Sequence, residues 1–209
     1  MNERKRGAFG PTIAWNWHYL AETPAERSFQ RSIASSVTVS IELPIETERL
    51  IVRCFVPEAD TEPMFRVYGD PEVMRFIPGG ALSDEVAVRS LLERYADAHQ
   101  RQGFSSWAVI DQKTGHVIGD AGFGIFEPTG EVELGYTLAR DRWGQGYATE
   151  VARACLAAGF RQLVAPRIIA VVDEENEASM RVPKRIGMKK IETIHVNGRP
   201  HVLFAASRS

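Results

Sequence analysis

The stretch Trp143-Gly-Gln-Gly-Tyr-Ala148 decides the fold, because it joins two segments of different periodicity. The residues before it, from Glu131 to Leu138, alternate in the manner of a β-strand. The residues after it carry small and apolar side chains at helical three- and four-residue spacing: Ala148, Val151, Ala152, Cys155, Leu156, Gly159, Phe160 and Leu163. A glycine-containing turn is therefore predicted to lead from a strand into the N-terminus of an amphipathic helix.

A helix N-terminus preceded by glycines can bind an anion. Free backbone N–H groups point out of such an end, and the helix macrodipole adds about half a positive charge there. Gly144 and Gly146 allow positive φ angles and let a ligand come close to the backbone. The turn is a candidate site for a phosphate or pyrophosphate. The alternative is an ordinary tight surface turn, since glycine is the commonest turn residue.

Two nucleotide-binding motifs share parts of this pattern but do not fit it. The dinucleotide fingerprint needs a third glycine where this chain has Thr149, and its first glycine ends the strand. Here the residues from Ala139 to Trp143 separate the predicted strand from the glycines. The Gly-Lys-Ser/Thr sequence of a P-loop does not occur in the chain.

Composition limits the class of protein. The 209 residues suit one domain with an appendage. The 25 basic and 27 acidic residues give no indication of a nucleic-acid or membrane partner, and no apolar run approaches the ~18 residues of a membrane span. We interpret Cys54 and Cys155 as core residues in a strand and a helix, as expected for a cytoplasmic protein. The five histidines show no metal-ligand spacing.

Residues 1–44 differ from the rest of the chain. They contain a patch with Trp15 and Trp17 and a serine-rich stretch, without sustained periodicity and without the pattern of a secretory leader. We therefore predict an N-terminal extension over residues 1–44, either flexible or docked, and one domain over residues 45–209.

Periodicity and turn residues predict the remaining elements. The predicted segments are a strand from Leu50 to Phe55, a helix from about Glu58 to Tyr68, a short helical turn from Asp70 to Phe76, a helix capped by Ser83 that ends near Gly103, and hairpins at Lys113-Thr-Gly115 and Asn197-Gly198. The resulting order of the main elements is β-α-α-β-β-β-α-β-α-β-β.

Three segments follow one another in the order and spacing of a known family. They are Glu133-Leu-Gly-Tyr136, Trp143-Gly-Gln-Gly-Tyr-Ala-Thr-Glu150, and Asn176-Glu-Ala-Ser-Met-Arg-Val182 with Gly187-Met188. The set resembles the GNAT N-acetyltransferase superfamily over about Glu46 to Ala206. With Glu46-Thr-Glu-Arg-Leu-Ile-Val-Arg53 and Asp70-Pro-Glu-Val-Met74 it is also similar to the RimJ/RimL-type branch, which acetylates amino groups of ribosomal proteins and related substrates.

The resemblance implies a fold and a co-substrate site. The fold is α/β (α+β), a mixed, mostly antiparallel twisted sheet with helices on both faces. The co-substrate is acetyl-CoA, whose pyrophosphate would lie on the glycine turn and whose pantetheine arm would pair with the preceding strand, where an N–H near Leu138 would bind the oxyanion. The implied residues are Tyr136, Thr137, Leu138, Trp143, Gly144, Gln145, Gly146, Tyr147, Ala148, Thr149 and Asn176. Trp143 stands where most members of the superfamily have Gln or Arg.

Glu133 is the candidate general base, acting through a water molecule. It shares a predicted strand face with Gly135, which leaves room for a ligand. The alternative is a glutamate paired with a neighbouring strand. Glu131 on the same face is the second choice.

Asn176 and Ser179 are the polar candidates of the last helical segment. Asn176 would face the cofactor or the acceptor, or would simply cap the helix. Many superfamily members have a tyrosine, the acid that protonates the leaving thiolate, where this chain has Pro183. Ser179 is the nearest hydroxyl for that role, and its alternative is a first-turn serine that bonds to the backbone.

These residues predict direct transfer of an acetyl group to a primary amine in a ternary complex, without a metal, by a monomer or homodimer. An α-amine is the favoured acceptor, because its pKa of about 8 requires less deprotonation than the ~10.4 of lysine. A small-molecule acetyltransferase and a non-catalytic acyl-CoA sensor remain alternatives. Arg75, Phe76 and Tyr95 are candidates for the acceptor site, or else a surface arginine and core aromatics.

Overall fold

The computed structural model describes residues 40–208. The elements are β1 (Ile45–Glu46), β2 (Leu50–Arg53), α1 (Pro57–Tyr68), α2 (Glu85–Gln102), β3 (Ser106–Asp111), β4 (Val117–Phe126), β5 (Glu131–Leu138), a 3-10 turn (Arg140–Arg142), α3 (Tyr147–Gln162), β6 (Arg167–Asp173), α4 (Glu177–Arg185), β7 (Lys189–Val196) and β8 (Arg199–Ser207). From β2 onwards this order is the predicted one.

Eight strands form one sheet in the order β1-β2-β3-β4-β5-β6-β8-β7. Neighbouring strands are antiparallel throughout, except that β5 and β6 are parallel. The predicted fold class, a mixed and mostly antiparallel sheet, is confirmed.

Helices cover both faces of this sheet, as the alternation along β3 shows. Trp107 and Val109 pack with the buried side of α3, whereas Ala108 and Ile110 pack with α1 and α2. Successive side chains of a strand point to opposite faces, so an apolar strand buried on both sides needs a helical layer on each.

Strands β5 and β6 part towards their C-terminal ends. They are joined by one register pair, Glu133 with Ile169, whereas β4 and β5 remain paired along their whole common length. Helix α3 follows the C-terminal end of β5, and α4 follows that of β6. The C-terminal ends of parallel strands, where helices begin, are where such sheets bind ligands.

Helix α3 lies very close to the sheet at Gly159. A Cβ atom added there would stand 2.7 Å from the ring of Phe123 and 2.8 Å from Ile168. The predicted apolar stripe is buried, and Cys155 lies within it. The prediction that Cys54 lies inside a strand is wrong, because this residue follows the end of β2 and is half-buried.

One local prediction between α1 and α2 is wrong, and another is realised only as a single turn. The segment from Asp70 to Phe76 forms turns and bends, in which the Met74 N–H donates to the Asp70 carbonyl at 3.0 Å and Asp70 Oδ1 accepts from the Glu72 N–H. The N-cap of α2 is Asp84, whose Oδ1 accepts from the Ala87 N–H at 2.9 Å, and Ser83 instead donates to the Asp84 carboxylate. A carboxylate at this position also interacts favourably with the helix dipole.

The folded core begins upstream of residue 45. Ile41 is 1% exposed and belongs to the main apolar cluster, and its N–H donates to the Gly103 carbonyl at 2.8 Å. Trp15 and Trp17 lie outside the described residues, so the predicted role of the extension stays a prediction. Within residues 40–208, no helix is long and apolar enough to cross a membrane.

Candidate active site

The glycine turn between β5 and α3 has the backbone that its sequence predicts. Gly144 (φ 74°) and Gly146 (φ 84°) are both left-handed, and Gly146 is the N-cap of α3. A Cβ atom at Gly144 would touch nothing within 4 Å, and one at Gly146 would meet only an Arg49 nitrogen at 3.5 Å. Space for a ligand is therefore left directly outside the first turn of α3, where main-chain N–H groups lack helical acceptors.

A cavity of about 590 Å³, here named the arginine cavity, opens at this turn. Its walls come from the glycine turn, the start of α3 and the exposed side of α4. Among residues 40–208, four arginines and no carboxylate contribute to the lining, which gives the cavity a positive potential suited to phosphate groups. The lining residues are Arg140, Arg142, Trp143, Gly144, Gly146, Tyr147, Ala148, Thr149, Ala178, Arg181, Val182 and Arg185.

Arg49, the residue before β2, holds the glycine turn in place through its side chain. Its Nε donates to Glu150 Oε2 at 2.7 Å, and its Nη1 donates to the Gln145 carbonyl at 3.0 Å. The guanidinium also lies 4.3 Å from the centre of the Tyr147 ring. Arg49 thus fixes the loop shape and neutralises Glu150, a carboxylate in the first turn of α3 that would repel a bound phosphate.

Trp143 ties the turn back to the strand, because its indole N–H donates to the Leu138 carbonyl at 2.8 Å. The side chains of Tyr136 and Leu138 are buried on the α3 side of the sheet, so at these positions the main chain is what a ligand would meet. Gln145 Nε2 donates to the Asp141 carbonyl, and this side chain is occupied within the loop itself.

Glu133 lies at the point where β5 and β6 part. It is 2% exposed, and its Oε1 has no hydrogen-bond partner within residues 40–208. Burial raises the pKa of the Glu133 carboxyl to about 8, an effect partly offset by a hydrogen bond from the Val171 main chain. A carboxyl with this pKa becomes an effective proton acceptor as the pH approaches 8.

Glu131 is committed to another partner. Its carboxylate forms a bidentate salt bridge with the Arg167 guanidinium, in which Nη2 donates to Oε2 at 2.9 Å. The hydrogen bond from Arg167 lowers the pKa of the Glu131 carboxyl, which makes it a weaker base than Glu133. The geometry therefore favours the first choice of the sequence analysis.

Asn176 is the N-cap of α4, since its Oδ1 accepts from the Ser179 N–H at 3.0 Å. The capping alternative is thus realised, and a cofactor contact by the same side chain stays a prediction. Ser179 is fully buried, and its hydroxyl has no hydrogen bond of normal geometry among the described residues. Burial raises the pKa of the Tyr136 hydroxyl, and a hydrogen bond from the Ser179 side chain partly offsets this effect, so the two hydroxyls lie close together.

A second cavity, of about 210 Å³, lies on the opposite face of the sheet beneath α1 and α2. Tyr95, one of the predicted acceptor-site residues, lines it; Arg75 and Phe76 do not, and the Arg75 guanidinium lies 5.4 Å from the Phe76 ring centre. Asp120 is not among the residues predicted from the sequence; it is fully buried at the floor of this cavity on β4. An aspartate inside the glycine-rich, apolar run of a strand was the available signal.

Within residues 40–208, no three His, Cys, Asp or Glu side chains are grouped as a metal site. What the geometry defines is a split, mostly antiparallel sheet with a positive cavity at a helix N-terminus, the arrangement of a protein that binds a phosphate-bearing ligand.

Comparison with known proteins identifies the family. The family described as the acetyltransferase (GNAT) domain matches residues 49–189. The Bacillus subtilis (strain 168) protein YkkB is 34% identical over 161 residues, which cover 76% of this chain and 92% of that protein. The chain therefore belongs to the GNAT family of N-acetyltransferases, and the resemblance found in the sequence is confirmed.

Solved structures agree with this assignment. A GNAT-family acetyltransferase from Bacillus anthracis superposes with a TM-score of 0.69 at 27% identity, over 79% of this chain and 99% of that one. RimL, the ribosomal L7/L12 α-N-protein acetyltransferase solved with coenzyme A, superposes at 0.68 with 16% identity, over 79% and 98% of the two chains. The second match supports the fold alone.

Proposed function

We propose that this chain transfers the acetyl group of acetyl-CoA directly to a primary amine, and that the α-amine of a protein or peptide is its favoured acceptor. The observation that carries the proposal is the arginine cavity at the Gly146 turn, beside the point where β5 and β6 part.

The described residues fit acetyl-CoA. Phosphate groups would meet the arginines of α4 and the 3-10 turn together with the N–H groups of the first turn of α3. The amide-containing arm would run along β5 beyond Glu133, where the strand has no register pair with β6. The thioester would then lie near the point where β5 and β6 diverge, where Glu133 and Ser179 carry polar atoms without a hydrogen bond of normal geometry among the described residues.

Glu133 would accept the proton that the amine loses, directly or through a water molecule. The neutral amine nitrogen then bonds to the thioester carbon, and collapse of the tetrahedral species breaks the carbon–sulfur bond. Ser179 would donate its hydroxyl proton to the departing thiolate and regain a proton from the nitrogen, which loses its second proton as the amide forms. A donor is required there because a bare thiolate is a poor product in a buried site.

The pKa of Glu133 supports an α-amine as acceptor. Proton transfer from an α-ammonium group of pKa about 8 to a carboxylate of pKa about 8 costs almost nothing. Transfer from a lysine side chain, whose pKa is about 10.4, is uphill by more than two pKa units.

A non-catalytic acyl-CoA sensor is the second candidate, favoured by one observation. Pro183 occupies the position of the tyrosine acid in many relatives and is buried within α4. Release of free CoA thiol in the presence of an amine separates the two functions, because a sensor leaves acetyl-CoA unchanged.

The acceptor class is tested with three sets of substrates: peptides with a free N-terminus and no lysine, N-blocked peptides with one lysine, and small polyamines. We expect the first set to react fastest. Faster reaction of the blocked peptides would contradict the α-amine assignment, and polyamines reacting faster than both would place the enzyme in the small-molecule class.

A further inference from the structure

The cavity beneath α1 and α2, here named the Asp120 cavity, has apolar walls and one buried carboxyl. Its lining residues are Tyr68, Met74, Ile77, Leu82, Ala87, Ser90, Leu91, Arg94, Tyr95, Asp120 and Thr137. The aliphatic and aromatic side chains form the sides, and Asp120 with Thr137 forms the floor on β4 and β5. Arg94 is exposed, which places its charge at the solvent side, where water and salt screen it.

Asp120 is only partly satisfied by the protein. The Ser106 hydroxyl donates to Oδ2, whereas Oδ1 has no hydrogen-bond partner among residues 40–208. The Tyr68 hydroxyl, on the wall of the same cavity, has no hydrogen bond of normal geometry among the described residues, but together with the Ser106 and Thr137 hydroxyls it partly offsets the effect of burial on the pKa of Asp120. Burial raises the pKa of the Asp120 carboxyl to about 6, which still leaves it mostly ionised at neutral pH. A buried anion without a cation is costly, so the cavity is built to receive a positive charge.

The group that binds here is not the amine that is acetylated. Asp120 pairs in register with Thr137, so it lies on the far side of β5 from the split with β6. A strand spacing of about 4.8 Å separates β4 from β5, and β5 itself stands between Asp120 and the split. A nitrogen held by Asp120 would therefore lie to one side of the thioester, and a different nitrogen of the same molecule would react.

We propose that the Asp120 cavity binds a second, cationic group of the acceptor, an ammonium on an aliphatic stem, so that the preferred acceptors carry two basic groups. The apolar walls suit the methylene stem, and the ammonium can donate to Asp120 Oδ1 and to the Tyr68 hydroxyl oxygen. The aromatic walls add favourable cation–π contact. An α-amine acceptor with N-terminal lysine has this form. The inference rests on the proposed function and names its acceptor class.

The experiment compares two peptides that differ only in their first residue, lysine or norleucine, which has a similar stem without the ammonium. We expect kcat/KM for acetylation of the α-nitrogen, located by fragment mass spectrometry, to be roughly tenfold or more higher for the lysine peptide. Asp120→Asn should remove this preference and leave the norleucine peptide and the KM for acetyl-CoA unchanged. Asp97→Asn, an exposed acid on α2, is the matched control.

A cavity-filling variant keeps the test valid if Asp120→Asn does not fold. Ala87→Leu narrows the cavity from α2 without touching the buried carboxyl, and Ala157→Leu, on the exposed side of α3, is its control. We expect the first to abolish the preference and the second to retain it.

Three results would overturn the proposal: no preference in the parent protein, equal loss for both peptides in Asp120→Asn, or a preference that persists in Ala87→Leu. Calorimetric titration of both peptides into the CoA-bound protein gives the same comparison without turnover. If no amine is acetylated, the proposed function fails. Tighter binding of the lysine peptide that requires Asp120 would then still support the cavity assignment.

Discussion

The Tyr136 hydroxyl donates a hydrogen bond to the main-chain oxygen of Ser179, at 3.4 Å, and so connects β5 with α4. Pro183 explains why this oxygen can accept it. Residue 183 would normally donate its N–H to the carbonyl four residues earlier in the helix, and proline has no N–H. The missing N–H of Pro183 thus leaves this oxygen free of its usual helical donor, and the Tyr136 hydroxyl uses it to link the two strand-helix units that form the split.

Ser179→Ala separates a catalytic role from a structural one. The hydroxyl has no hydrogen bond of normal geometry in the described part of the chain, so its removal should leave the unfolding free energy unchanged or slightly higher. If Ser179 donates to the leaving thiolate, kcat should fall by roughly 10- to 100-fold at unchanged KM for acetyl-CoA. Ser207→Ala on the exposed end of β8 is the control. A stability loss with unchanged kcat would assign Ser179 to the fold.

Glu133→Gln should lower kcat by roughly 10²- to 10⁴-fold, because general-base catalysis contributes about that factor. In the parent protein, kcat should rise with pH until it passes about 8, the pKa of Glu133, and then level off. The variant should lose this rise. Retention of the same pH profile in Glu133→Gln would show that another group is the base.

The Glu133 carboxyl should also make the free energy of unfolding depend on pH. Its pKa in the folded protein is raised above the ordinary value of 4.5, so the folded state binds the proton more tightly than the unfolded chain does. The stabilisation that this provides is complete below about pH 4.5 and is lost as the pH rises towards 8. Urea unfolding of Glu133→Gln should therefore show a smaller fall in unfolding free energy over this range than the parent protein.

Gly146→Glu should abolish acetyl-CoA binding, because it places a carboxylate where the pyrophosphate is expected. Gly130→Glu is a matched control: Gly130 is also left-handed (φ 71°), and an added Cβ atom there would meet nothing within 4 Å. Both variants place an L-residue in the left-handed region, so the position of the charge is the main difference between them. Calorimetry that finds equal affinity in the two variants would refute the pyrophosphate assignment.

Arg49 and Glu150 should act together on the affinity for acetyl-CoA. Arg49→Ala frees the Gln145 carbonyl and leaves the Glu150 charge uncompensated beside the arginine cavity, so the Kd should rise. Glu150→Ala should reduce the effect of the arginine change, and a double-mutant cycle on binding should yield a coupling of about 0.5–3 kcal/mol. Strict additivity of the two changes would show that Arg49 acts independently of Glu150.

The sequence predicts local features of this site better than distant ones. Gly144 and Gly146 are visible because a strand period, a glycine turn and a helical period adjoin one another in the chain. The sequence does not predict that Arg49 stabilises this turn, because its partner Glu150 lies 101 positions away and no periodicity connects the two residues. Side-chain pairings of this kind depend on how distant elements pack.

The burial of a side chain is also hard to predict from the sequence, because it too depends on how distant elements pack. Asp120, Glu131 and Glu133 are all acids in predicted strands, and the sequence does not show that Asp120 and Glu133 are buried whereas Glu131 is not. Glu131, two residues from Glu133 on the same strand face, is paired with Arg167 and remains partly exposed. The pKa values of the three acids differ because neighbouring elements remove water from two of them and supply a cation to the third.

The N-terminal boundary gives a last prediction, tested with two truncated chains. A chain that begins at Ser40 retains Ile41, whose side chain is 1% exposed and whose N–H bonds to Gly103, together with all the family motifs. We expect it to fold and to bind acetyl-CoA like the full chain.

A chain that begins at Leu43 loses Ile41 and leaves a gap in the core, and its unfolding free energy should be lower by about 2–5 kcal/mol. Urea unfolding and acetyl-CoA titration of both chains measure the difference. Insolubility of the chain that begins at Ser40 would show that residues 1–39, with Trp15 and Trp17, stabilise the domain or a dimer interface. Equal stability of the two chains would show that Ile41 contributes little and that the boundary lies near residue 45, as the sequence alone predicts.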